Sequence, residues 1–183
     1  SNKVLGSEYN AVTASWRYVE YLPGLFTNHT LALGYAGGIS GGDVKRRATF
    51  ALGGYAPQPD FVRAFFDFTR PGGANLRGYA FSSIYGPQFH VLNAEYRFPI
   101  WWIERGYDTF PIYLRRLHGA VFADFGGAFS AFDPKLLKLG VGAEVRLELY
   151  LFWYFPAALQ LGYAHGFMEG GENQVYFLLN NPF

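Results

Sequence analysis

The stretch "LKLGVGAEVRLELYLFW", residues 137–153, decides the fold. Leu139, Val141, Ala143, Val145, Leu147, Leu149, Leu151 and Trp153 fall on one side of it, and Gly140, Gly142, Glu144, Arg146 and Glu148 on the other. A helix would mix the two sets around its surface, whereas a strand with its period of two separates them cleanly. The run continues for about 15 residues. Soluble strands usually stop near about 5–6, and a tilted membrane-spanning strand needs roughly 9–11.

The same division recurs along the chain. In "HVLNAEYRFPI" Asn93, Glu95 and Arg97 oppose Leu92, Ala94, Tyr96 and Phe98; in "HGAVFADFGGAF" Asp124 and Gly126 oppose Val121, Phe125 and Phe129. In "AALQLGYAHGF" Gln160, Gly162 and Ala164 oppose Leu159, Leu161, Tyr163 and Phe167, and "AVTASWRYVEY" sets Thr13, Ser15 and Arg17 against Val12, Ala14, Trp16 and Tyr18. Eight strands are expected, near 8–21, 28–38, 47–56, 89–101, 116–130, 137–153, 156–168 and 174–183. Large apolar residues alternating with small or polar ones predict an all-β fold, an antiparallel transmembrane β-barrel with its lipid face outward and its lumen hydrated. "IWW" at 100–102 and "FWYF" at 152–155 fall at strand ends, where aromatic girdles meet the bilayer interface. The competing reading is a soluble β-sandwich or lipocalin-like barrel; apolar faces this large and aromatic weigh against it in so short a chain.

Composition points the same way. The 183 residues suit one domain, 1–183. With 15 Lys+Arg against 14 Asp+Glu, nothing calls for a nucleic-acid partner, while 20% of residues are aromatic. There is no cysteine, and therefore no disulfide framework or thiolate chemistry. "SNKVLGSEYN" lacks the basic and apolar regions of a signal peptide, so an exported protein would show mature or truncated sequence here. The stretch 149–168 has no Asp, Glu, Lys or Arg but is broken by Pro156, Gln160, Gly162, His165 and Gly166, and no helical span is expected.

One connection is far longer than a hairpin needs. Residues 57–88, "PQPDFVRAFFDFTRPGGANLRGYAFSSIYGPQ", carry many charged and aromatic residues, and loops of this length in compact folds are commonly functional. Gly72, Gly73 and Gly78 allow a tight tip around Arg77. Glu95 and Asp124 occupy lumen-facing positions, and an acid inside a narrow barrel wants a cation whose planar fork can meet it bidentately. Two readings of Arg77 stand at this point: an ordinary charge on a solvent-exposed loop, or the tip of a loop folded back into the lumen, with Arg77 pairing Asp124 and Glu95.

Other candidate chemistry fails on inspection. "GANLRGY" has Tyr79 where a phosphate-binding loop needs lysine, "GVGAEV" lies within a strand, and "FSSIYG" is no nucleophile elbow. The histidines at 29, 90, 118 and 165 have no ligand spacing, and the basic run 45–47 reads as a solvated turn. No enzyme activity, cofactor or metal site is expected.

"NLRGYAF" resembles the Arg-Gly-Tyr/Phe tip of the inward-folded loop in the bacterial surface antigen family, the outer-membrane superfamily typified by BamA and TamA. "NAEYRFPI" is similar to that family's strand after the loop. "VFADFGGAF" resembles its Phe-x-Asp-x-Gly strand, whose aspartate receives the loop arginine. "YFLLNNPF" resembles its terminal strand, read as an assembly signal through Tyr176, Phe177, Leu179 and Phe183. The resemblance covers about residues 45–183. It implies structural roles for Arg77, Gly78, Tyr79, Glu95, Asp124 and Gly126, and a location in the bacterial outer membrane. The implied function is insertion or translocation of proteins, with outer-membrane lipid and unfolded outer-membrane proteins as partners. A passive anchor or pore for a periplasmic or surface domain is the alternative. The family barrel has sixteen strands. Eight strands correspond to its C-terminal half, or to a short variant that completes the barrel with a second copy, because eight strands closed alone leave little lumen for the loop.

Overall fold

The computed structural model describes residues 10–43, 47–55, 75–152 and 154–180. These contain, in chain order, β1 (Ala11–Pro23), β2 (Thr30–Gly42), β3 (Phe50–Leu52), β4 (Ile84–Gly86), β5 (Gln88–Tyr107), β6 (Phe110–Phe129), β7 (Lys138–Leu151), β8 (Phe155–Gly166) and β9 (Asn173–Asn180). Seven of them form one sheet in the order β1-β2-β5-β6-β7-β8-β9, antiparallel throughout. The fold is all-β, and the alternation in 137–153 becomes β7.

Three expectations need correction. The strand expected over 47–56 is only β3, and it pairs with β4 in a separate two-stranded sheet. The main sheet of the described residues therefore has seven strands, not eight. Because Ile39 of β2 pairs with Gln88 of β5, the excursion covers 43–87 rather than 57–88. Glycines at 53 and 54 leave the third segment short of side chains, and it pairs with the returning arm of its own loop instead. Finally, β5 and β6 run on to a turn near Asp108, past the boundaries expected at 101 and 116. Their register shifts between Pro99 and Trp101 and again between Trp102 and Arg105, bulges that accommodate a proline without an N–H donor. Trp153 and Phe183, and the run Lys45–Arg46, lie outside the described residues, as do Gly72 and Gly73.

Among the described residues β1 and β9 each have one strand neighbour, so this sheet is open rather than closed into a barrel. Its two faces differ sharply. On one, the register aligns Tyr35, Leu92, Phe125 and Leu139, and Leu92, Val121, Val145, Leu161, Val175 and Phe177 are exposed. That face carries no Asp, Glu, Lys or Arg from β2 to β9 between Leu31 and Leu179 along the paired rows. The opposite, inner face is covered by the loop. Ala36, Phe89, Val91 and Ala128 of the main sheet bury Leu52, with Phe50 and Ile84 packed alongside. Small residues on β2 and β6 leave the space that the β3–β4 sheet fills.

Candidate functional site

The loop returns across the inner face and sets its tip, Leu76-Arg77-Gly78-Tyr79, over five strands. Leu76 and Tyr79 are fully buried, and each apolar body of this size contributes about 1.5–3 kcal/mol on burial. Gly78 has a φ of +88°, a left-handed conformation that a glycine adopts without strain. The turn at Gly78 sends the Arg77 side chain toward β5, β6 and β7 while the backbone beyond it runs along β8 and β9.

Arg77 is 4% exposed and Asp124 0%. Arg77 Nε donates to Asp124 Oδ2 at 2.6 Å and Nη2 to Oδ1 at 2.8 Å, the planar fork matched to a carboxylate. The Arg77 backbone N–H also donates to Oδ2 at 3.1 Å, and Asn93 Nδ2 to Oδ1 at 2.8 Å. These four bonds fill the acceptor sites of the aspartate, which is how a charge survives with no contact to water. The guanidinium lies 3.3 Å from the ring centroid of Phe122, so one face is stacked and the edge is hydrogen-bonded. Burial works against the charged guanidinium, but the hydrogen bonds and charge of Asp124 outweigh it and hold its pKa above the ordinary value.

The network extends well past this pair. Arg77 Nη1 lies 3.5 Å from Glu95 and 3.6 Å from Glu144. Arg97 donates to Glu95 at 2.6 Å, and Arg146 bridges Glu95, at 3.0 Å, and Glu144. Three arginines thus meet three carboxylates, and the cluster is neutral as a whole. Glu144 takes further hydrogen bonds from Tyr176, at 2.7 Å, and from Gln160. Every member sits on an inward row of its strand except Arg77, which the loop delivers.

The structure brings together most of the residues singled out from sequence. Arg77, Glu95 and Asp124 meet as expected, and the Tyr79 hydroxyl donates to the Leu139 carbonyl at 3.0 Å. Gly126 belongs elsewhere: a side chain there would run into His90 and Val91 of β5, so the glycine permits close strand approach rather than contact with the tip. Of the terminal residues, Phe177 is exposed on the apolar face, Leu179 packs with Leu149 and Ala157, and Tyr176 turns inward to Glu144. Sequence reading placed Glu144, Arg146, Arg97, Asn93 and Gln160 on the polar face but did not connect them to the tip. The available signal was the register: charged residues two apart on one strand, facing charged residues two apart on another.

Among the described residues no group of His, Cys, Asp and Glu could hold a metal. Each carboxylate of the network is met by at least one arginine. Neither a protein-family model nor a curated protein matches the chain.

Proposed function

We propose that this chain forms part of the wall of a transmembrane β-barrel in a bacterial outer membrane, of the bacterial surface antigen (BamA/TamA) type, and assists the insertion or translocation of proteins there. The observation that carries this reading is the contrast of the two faces: six adjacent strands present an exposed apolar surface whose central rows carry no charge, with Arg105 beyond them toward the β5–β6 turn, while the opposite rows hold a six-charge network under a folded-back loop. Soluble proteins rarely expose apolar patches beyond a few hundred Å², and the lipid face of a membrane barrel is such a surface. The apolar row of β7 runs from Leu139 to Leu151. At about 3.3 Å per residue and a tilt near 45°, it rises roughly 28 Å, close to the roughly 25 Å apolar band of outer-membrane barrels. Phe26, Trp101, Trp102, Phe110, Tyr154 and Phe155 are exposed around the turns at one end, in keeping with an interfacial belt.

In this reading the tip fixes the wall's shape from within, and the missing wall comes from further strands of the same protein or from a second copy. An edge strand such as β1 or β9 offers backbone groups to which an incoming strand can pair. The test is the folding rate of an unfolded outer-membrane protein into phospholipid vesicles that carry this chain. Faster folding than in empty vesicles supports an insertion role. An inserted chain that leaves the rate unchanged favours the passive anchor or pore, and a chain that stays in solution without detergent removes the membrane reading altogether.

A further inference from the structure

The Arg77 side chain is one part of the tip's hold. Further contacts, most of them to its backbone, run to the last hairpin. Gln174, on β9, holds the tip as a strand would: its Oε1 accepts from the Gly78 N–H at 3.1 Å and its Nε2 donates to the Tyr79 carbonyl at 2.9 Å. The Glu172 N–H donates to the Gly78 carbonyl at 2.9 Å, and the Met168 N–H donates to the Tyr79 hydroxyl at 3.2 Å. Tyr79 also forms an antiparallel bridge with Gly171. These contacts need a floor without side chains. A methyl group on Gly140 of β7 would overlap the Arg77 carbonyl oxygen, and one on Gly166 of β8 would overlap the carbonyl of Gly78.

We infer that the loop tip is a strap that fastens the terminal hairpin, residues 167–180, to the centre of the sheet. The side chain of Arg77 anchors it on β6, and the backbone of 78–79 carries the hold across two bare glycines to Gln174. The consequence is directional. β9 is an outer strand with one strand neighbour among the described residues, so its protection depends on the tip as well as on β8. β5 and β6 are paired on both sides, and their ladders stand without the tip. Seating and release of the tip therefore set how firmly the last strand is held.

Hydrogen–deuterium exchange of the full chain, folded in detergent micelles, tests this. Gly140→Ala removes no charge and no donor and lies two strands from β9, yet it unseats the tip backbone. It is expected to raise exchange about tenfold, the scale of one or two net hydrogen bonds, in 75–80 and in 167–180 together, with 89–98 and 117–126 unchanged. Gln174→Ala removes the clamp from the other end and is expected to loosen the same two segments, while Arg116→Ala, on the far part of the inner face, leaves both as they are. Exchange that rises in 75–80 while 167–180 keeps its protection overturns the strap. So does an equal rise across β5 and β6, which would make the glycine and the glutamine general supports of the sheet.

Discussion

Glu144 and Glu148 stand four residues apart on the inward row of β7, and each is met by two arginines, but their surroundings differ. Glu144 lies beneath the loop with Arg77, Arg146, Gln160 and Tyr176, and its side chain has no exposure. Glu148 is met by Arg116 at 2.5 Å, Arg115 at 3.5 Å and His118 at 3.7 Å, with the arginines 37% and 32% exposed. The residue types are the same and the local distances similar. What separates them is the cover supplied by the tip, which seals the arginines together with the carboxylate in one cluster, whereas in the other Glu148 is buried but its arginines keep contact with water. Coulombic attraction grows as water is excluded, and so does the penalty for a charge left alone.

The sharpest way to break the comparison is Asp124→Ala. It strips the fork from a buried guanidinium and is expected to cost about 3–5 kcal/mol, read as a fall in the urea midpoint of the detergent-folded protein by tryptophan fluorescence. A loss below about 1 kcal/mol would put the sealed cluster on the footing of an exposed pair. Arg77→Lys keeps the charge but loses the planar fork and the stacking on Phe122, with an expected cost of about 1.5–3 kcal/mol in the same assay. Tyr176→Phe removes one donor to Glu144 while Gln160 and Arg146 remain, at about 1.5 kcal/mol. The rim closes the series: Arg116→Ala is expected to cost no more than about 1 kcal/mol. Salt sharpens the contrast further. Near 1 M, where the screening length is about 3 Å, the Arg116→Ala difference should vanish while that of Arg77→Lys persists.

Alkaline pH separates the regions less. The folded-state pKa of Arg77 is raised, so its contribution is complete below the ordinary guanidinium value and is lost only as pH rises through a still higher one. Titration to about pH 10 leaves the sealed cluster intact.

Much of this was legible in the order of residues. Alternation in 137–153 named both faces of β7 before any partner strand was known, because side-chain direction in a strand depends on parity alone. The pairing of Arg77 with Asp124 and Glu95 was favoured by the likeness of "NLRGYAF" and "VFADFGGAF" to a known loop tip and its strand, since Arg97 and Arg146 on the same face could serve those acids as well. Less visible was the fate of 47–56, whose alternation continues into glycines that contribute no packing and whose strand left the main sheet for β4. The hairpin between β5 and β6 was underestimated, with strands expected to stop at 101 and start at 116, because bulges carry both strands on through 102–107 without a clean alternation.

The sequence by itself determined which residues share each face of a strand, and it offered a loop arginine meeting the acids of one face as one reading beside an ordinary exposed charge. Each follows from local rules, the period of two and the need of a sequestered charge for a partner. Only the tertiary structure decided that three arginines close on three carboxylates, that Tyr176 joins them, and that Gln174 holds the tip across bare Gly140 and Gly166. Those outcomes depend on the register of strands that are not neighbours in sequence and on the height at which the loop crosses them, and neither is written in any single segment.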